Sequence, residues 1–271
     1  MDRDRTRRGL HVSVRLTHRH YGTDGPPLVV MHGLFGSARN WHSIARRLAD
    51  DYRVFAVDLR NHGAAPWTDT MTFADMVGDL EAFLDEHHLD EAILLGHSLG
   101  GKTAMLFALA HPERVDSLVV IDIAPVAYAH SYRDLIDAMR ALDLGRLTRR
   151  GEADRVLADA IPDRALRGFL LQNLVVRDRR LAWRINLETL GPAMEGLLGF
   201  PDPGDTDYEG RTLFISGELS DYIDPRYYGA IGSLFPQAEF AVVADAGHRV
   251  HAERPDAFLD ALHGFLDSAY A

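Results

Sequence analysis

The chain contains no cysteine. That absence excludes disulfides, thiolate catalysis and Cys-ligated zinc, and it fits a reducing compartment without requiring one. Long apolar runs are missing too: no segment approaches the roughly 20 residues that a membrane-spanning helix needs. The first residues, Met1-Asp2-Arg3-Asp4-Arg5-Thr6-Arg7-Arg8, are charged with no apolar stretch behind them. They read as a frayed tail rather than a secretory signal. A cytoplasmic protein is expected. Basic residues are outnumbered by acidic ones, 29 to 40, for a formal charge of −11. Such a surface repels a phosphate backbone, so nucleic acid is not an expected partner. Metal-ligand spacings such as H-E-x-x-H and nucleotide-binding glycine patterns are also lacking. Neither metal nor cofactor is expected.

What is present is a rhythm of short apolar runs, at residues 28–31, 54–57, 92–95, 118–121, 213–215 and 240–243. Rich in valine and isoleucine and without alternation, they suit strands buried on both faces of a parallel sheet. Amphipathic stretches at 41–49, 72–86, 102–110 and 227–234 lie between them. The alternation predicts βαβ units in an open α/β sheet, whose ligands bind beyond the carboxyl ends of the strands. Between residues 124 and 210 the rhythm stops. That stretch has no convincing strand run but has helical patterns at 132–142, 152–160, 163–174 and 192–198. More than eighty residues is too long for one crossover. A helical cap at 124–210, inserted into a core of 1–123 and 211–271, is expected.

Chemistry concentrates at the strand ends. Gly96-His97-Ser98-Leu99-Gly100 follows one apolar run and opens onto a helical pattern. A serine at the apex of a sharp strand-to-helix turn is pushed out where a base can reach it. The helix start aims free N–H groups, that of Leu99 among them, at an oxyanion beside Ser98. A second donor is expected from His32-Gly33-Leu34-Phe35-Gly36, as the N–H of Leu34 or, second, of Phe35. The base candidate is His248, in Ala246-Gly247-His248 after the final run, because the order serine, acid, histidine is that of α/β hydrolases. His97 reads as packing against the sheet, His32 and Asp58 as braces of their loops. The acid has two candidates on residue pattern alone. Asp122 ends the run at 118–121. Asp221 follows a later run, in Gly217-Glu218-Leu219-Ser220-Asp221, where a G-x-x-D turn would place aspartate at the serine.

These segments, with the Arg-Asn-His-Gly core of residues 58–63, Gly-Gly-Lys after Ser98, Asp122-Ile123-Ala124-Pro125 and Ala246–Glu253, resemble the bacterial YbfF-type esterases and their eukaryotic relative, abhydrolase domain-containing protein 11. The resemblance spans nearly the whole chain. It implies an α/β-hydrolase fold and a serine hydrolase of carboxylic esters or acyl thioesters, with Ser98 as nucleophile, His248 as base and Asp122 as acid. It also implies one departure: Arg249 stands where the family often has tryptophan, making the wall there more polar. Phe35 and Trp183 are expected to meet substrate, while Arg177, Arg179, Arg180 and Arg184 read as a solvated face. Related readings on the same fold are a C–C bond hydrolase, a lactonase or a cofactor-free perhydrolase. A non-turnover binding protein is the reading from another class. The expected partner is a small acyl ester or thioester, and oligomeric state is not legible.

Overall fold

The computed structural model describes residues 13–267. The charged residues 1–8 discussed above lie outside them. In chain order, β1 (Thr17–Tyr21), β2 (Pro27–Met31), α1 (His42–Leu48), β3 (Arg53–Asp58), α2 (Phe73–Glu86), β4 (Ala92–His97), α3 (Leu99–Ala110) and β5 (Val115–Ile121) come first. An inserted segment follows, with α4 (Arg133–Arg140), α5 (Arg150–Leu157), α6 (Arg164–Leu170), β6 (Leu174–Arg177), β7 (Arg180–Trp183) and α7 (Leu187–Leu198). The chain closes with β8 (Arg211–Gly217), α8 (Tyr228–Leu234), β9 (Ala238–Val243), α9 (Val250–Glu253) and α10 (Pro255–Asp267).

Seven strands form one sheet in the order β1-β3-β2-β4-β5-β8-β9, parallel except where β1 runs against β3. The central strands read as unbroken apolar runs because helices cover both faces. Alternate residues of one strand therefore feed two cores. Val29, Met31, Leu94, Leu118 and Val120 pack with α2, α3 and the inserted segment. Leu28, Val30, Ile93, Leu95 and Val119 pack with α1 and α10 on the other face. Helix α2 starts at a capping box, with Thr72 accepting from the Asp75 N–H and Asp75 from the Thr72 N–H.

Two departures have local causes. The run at 240–243, expected to be buried on both faces, lies on the edge strand β9, where Val242 is 63% exposed. The stretch at 124–210 is not purely helical, because β6 and β7 pair as an antiparallel hairpin. Its turn residues, Asp178 and Arg179, both adopt positive φ, of 51° and 64°. Asn-Gly is the usual signal for such a turn, and a charged Arg-Asp-Arg-Arg stretch hides it.

Candidate active site

The carboxyl ends of β2, β4, β5, β8 and β9 all deliver polar loops to one edge of the sheet. Ser98 sits at the start of α3 with φ 51° and ψ −113°. The turn needs glycine at Gly96, where a Cβ would come within 2.3 Å of the Gly100 carbonyl oxygen. Gly33 lies equally close on the other side: a Cβ there would meet His97 Nδ1 at 2.7 Å and Ser98 Cβ at 3.2 Å. The 32–36 loop thus leans directly against the serine.

Two buried imidazoles hold that loop. His32 Nε2 accepts from the Leu59 N–H (3.0 Å), so Nδ1 carries the proton and donates to the Gly33 carbonyl (2.8 Å). His62 Nε2 accepts from the Phe35 N–H (3.3 Å), and its Nδ1 donates to the Arg60 carbonyl (3.0 Å). The Phe35 N–H is therefore spent on His62, which leaves the Leu34 N–H as the loop's candidate oxyanion donor beside that of Leu99. Asp58 ties the neighbouring loops, accepting from the N–H groups of Ala38 (2.7 Å) and Ala64 (2.9 Å).

Asp122 is fully buried, at 0% exposure. One of its oxygens accepts from His248 Nδ1 (2.7 Å) and from the Ser220 hydroxyl; the other accepts from the Gly217 N–H (3.2 Å). Asp221 is exposed. The geometry thus joins His248 to Asp122, and the serine at 220 supports that carboxylate instead of replacing it. His97, read as packing, does more: its Nε2 donates to the His248 carbonyl (2.9 Å) and tethers that loop. The Tyr222 ring stacks on the His248 imidazole at 4.0 Å between centroids and 24° between planes. Sequence reasoning missed Tyr222, since no local pattern marks a ring that meets its partner 26 residues on.

Ser98 and His248 face a common cavity of about 290 Å³ that also contacts Leu34, Phe35, Tyr132 and Phe169. Trp183, expected to meet substrate, lines neither cavity that reaches Ser98. It pairs with Leu174 in the hairpin and packs, half-buried, against the apolar cluster that the insertion shares with the sheet, α2 and α3. Arg249 does stand on the cavity wall, with its guanidinium 5.5 Å from the Phe169 ring centroid. Arg177, Arg179 and Arg180 are exposed at the hairpin, whereas Arg184 reaches the Ser37 hydroxyl (3.2 Å). Among the described residues, no cluster of three or more histidine or acidic side chains could hold a metal. No helix there is long and apolar enough to cross a membrane.

Residues 26–255 match the family model described as the alpha/beta hydrolase fold. The chain belongs to that family. This α/β hydrolase is similar to the sn-1-specific diacylglycerol lipase ABHD11 of Danio rerio, at 41% identity over 90% of the chain and 79% of the relative. It is 36% identical to the esterase YbfF of Escherichia coli over 95% of the chain and all of that protein. Among solved structures it resembles a marine microorganism esterase, with a TM-score of 0.91 and 36% identity over 93% of the chain and 100% of the other.

The buried histidines of this α/β hydrolase set an acid limit. Burial pushes His32 down to about 4, and His62 and His251 to about 3, against an ordinary value near 6.5. Their folded values lie below the unfolded one, so their contribution is complete above pH 6.5 and is lost as pH falls towards 4 and 3. In that window each imidazole removes about 1.4 kcal/mol of stability per pH unit. Urea unfolding should therefore show a loss of several kcal/mol between pH 7 and pH 5. A flat profile over that range would mean that these rings are not neutral and buried together.

Proposed function

We propose that this carboxylic ester hydrolase works through an acyl-enzyme on Ser98, with His248 as base and Asp122 as acid. The observation that carries the reading is the 2.7 Å contact of His248 Nδ1 with a fully buried Asp122, on a histidine that shares its cavity with Ser98. Asp122 accepts the Nδ1 proton and so leaves Nε2 as the base. Nε2 takes the Ser98 proton as Oγ attacks the ester carbonyl, and the N–H groups of Leu99 and Leu34 receive the oxyanion. Collapse breaks the C–O bond to the alcohol, which leaves with the proton from His248. Water, deprotonated by the same imidazole, then releases the carboxylic acid and restores Ser98. A thioester follows the same steps with a thiol as leaving group.

Residues 124–210 act in this reading as a cap whose Tyr132 and Phe169, with Phe35 below, hold the acyl chain. The deciding experiment treats the protein with a fluorophosphonate and maps the adduct, alongside turnover of p-nitrophenyl esters and acyl-CoA thioesters of graded length. Labelling at Ser98 with turnover supports the reading; intact protein after treatment, with no turnover of any substrate, overturns it.

The Tyr222 ring has a share in the same chemistry. An aromatic face over an imidazole favours the imidazolium that forms in the transition state, by about 0.5–2 kcal/mol. Tyr222→Leu is expected to lower kcat roughly 3- to 30-fold, while Tyr222→Phe keeps the stacked face and most of the rate. Equal losses in both variants would assign the effect to the Tyr222 hydroxyl and its bond to His130 Nε2 (3.0 Å) instead.

A further inference from the structure

Of the 29 lysine and arginine residues in the chain, Lys102 is the single lysine. It stands in the first turn of α3, where its N–H donates to the Ser98 carbonyl (2.9 Å). Its side chain is buried, at 1% exposure. Nζ donates to the carbonyl oxygens of Val126 (2.9 Å), Leu198 (2.8 Å) and Gly199 (2.6 Å). Three protons thus meet three acceptors, a converging arrangement that a planar guanidinium does not match. The ammonium also lies 4.9 Å from the Tyr128 ring centroid. Among the described residues no carboxylate pairs with it. A buried cation without a counter-ion is costly, so its three oxygens have to do the work of an anion.

Those oxygens have a common topological meaning. Val126 lies where the chain leaves β5 for the insertion. Leu198 ends α7 and Gly199 follows it, where the chain returns, and a helix C-terminus carries orphan carbonyls and partial negative charge. One side chain, rooted four residues from Ser98, therefore bonds to both crossings of the inserted segment, beside a backbone bond from the Tyr128 N–H to the Leu198 carbonyl (3.1 Å).

We propose that Lys102 is the clasp of the cap: its ammonium draws the two crossings together over Ser98, and loss of one proton loosens the cap for bulky acyl groups. The proposal rests on the reading of residues 124–210 as a cap. Desolvation pulls Lys102 from 10.5 down to about 7. Below that pH all three bonds stand; above it the neutral amine has two protons for three carbonyls, and the clasp loosens to two bonds beside the Tyr128 N–H that still meets the Leu198 carbonyl (3.1 Å). The titratable groups around it are Tyr128 and His130 on the outgoing segment, Tyr132 before α4 and Tyr222 beyond β8. None of these is a carboxylate. The carboxylate that acts on this cluster, through Tyr128 and Tyr222, is Asp122, which is engaged with His248.

A single lysine makes the test direct. Selective ¹³Cε-lysine labelling yields one side-chain signal, which should titrate with a midpoint near 7. Protease cleavage inside residues 124–210, mapped by mass spectrometry from pH 6 to pH 9, should rise through the same midpoint. Lys102→Met should cleave rapidly at every pH, and its KM for a long-chain p-nitrophenyl ester should change several-fold more than its kcat. A lysine signal titrating near 10.5, or wild-type cleavage that is flat from pH 6 to pH 9, overturns the clasp. The wild-type series decides even where the methionine variant does not fold. Failure of fluorophosphonate labelling with both titrations intact would sink the Ser98 mechanism and leave the clasp standing.

Discussion

Ser98→Ala should fold as the wild type does and lose ester hydrolysis by a factor on the order of 10⁶ in kcat. The substitution removes the attacking oxygen and nothing else. The backbone at residue 98 keeps its positive φ, the turn glycines keep their close approaches, and the cavity keeps its shape. Residual turnover should come from the Leu34 and Leu99 N–H groups, which can still polarise a bound carbonyl for attack by water. Steady-state hydrolysis with a thermal melt on the same preparation separates chemistry from folding. A variant within a hundredfold of wild type, or one still labelled by a fluorophosphonate, would move the nucleophile elsewhere.

Asp122→Asn is expected to lose 10²–10⁴ in kcat with little change in the melt. The amide keeps the volume but can donate as well as accept, which permits the wrong imidazole tautomer; in serine proteases the corresponding change costs about 10⁴. Partial rescue through Ser220 or water sets the lower bound, because the Ser220 hydroxyl already reaches the same carboxylate oxygen as His248. Asp221→Asn should stay within about tenfold of wild type, since Asp221 is exposed. The reverse ranking would put the acid after β8.

What the sequence made legible follows from how local each signal is. Six of the sheet strands announce themselves as apolar runs, and the loops at their ends carry the serine, the acids and the histidine. β1 gave no such signal, because Thr-His-Arg-His-Tyr is an edge strand that needs no continuous apolar face. The β6–β7 hairpin was hidden because its strands are four residues each and its turn is charged. Choosing between Asp122 and Asp221 needed a resemblance or a distance, since both loops end strands on the same side. The tasks of His62, Tyr222 and Lys102 depend on partners brought together only by the sheet and the insertion, across separations of 27, 26 and up to 97 residues. Trp183, by contrast, lies half-buried on the hairpin and lines neither cavity that reaches Ser98, a placement no local pattern gives.

Ser98 and Asp122, at the ends of neighbouring strands, hold φ of 51° and 52°, and Phe35 and Asn61 in the adjoining loops hold 62° and 64°. A left-handed backbone at a non-glycine residue costs about 1–3 kcal/mol, so these four places, like the Asp178–Arg179 turn, are locally unfavourable. For directed evolution this matters. Selection for thermal tolerance alone should drift towards glycine at residue 98, relaxing the backbone while discarding the hydroxyl, whereas glycine at residue 122 would leave three donors without their carboxylate. A durable variant of this hydrolase would have to be screened for turnover at every round, because one stabilising change open to it falls on the residue proposed as the nucleophile.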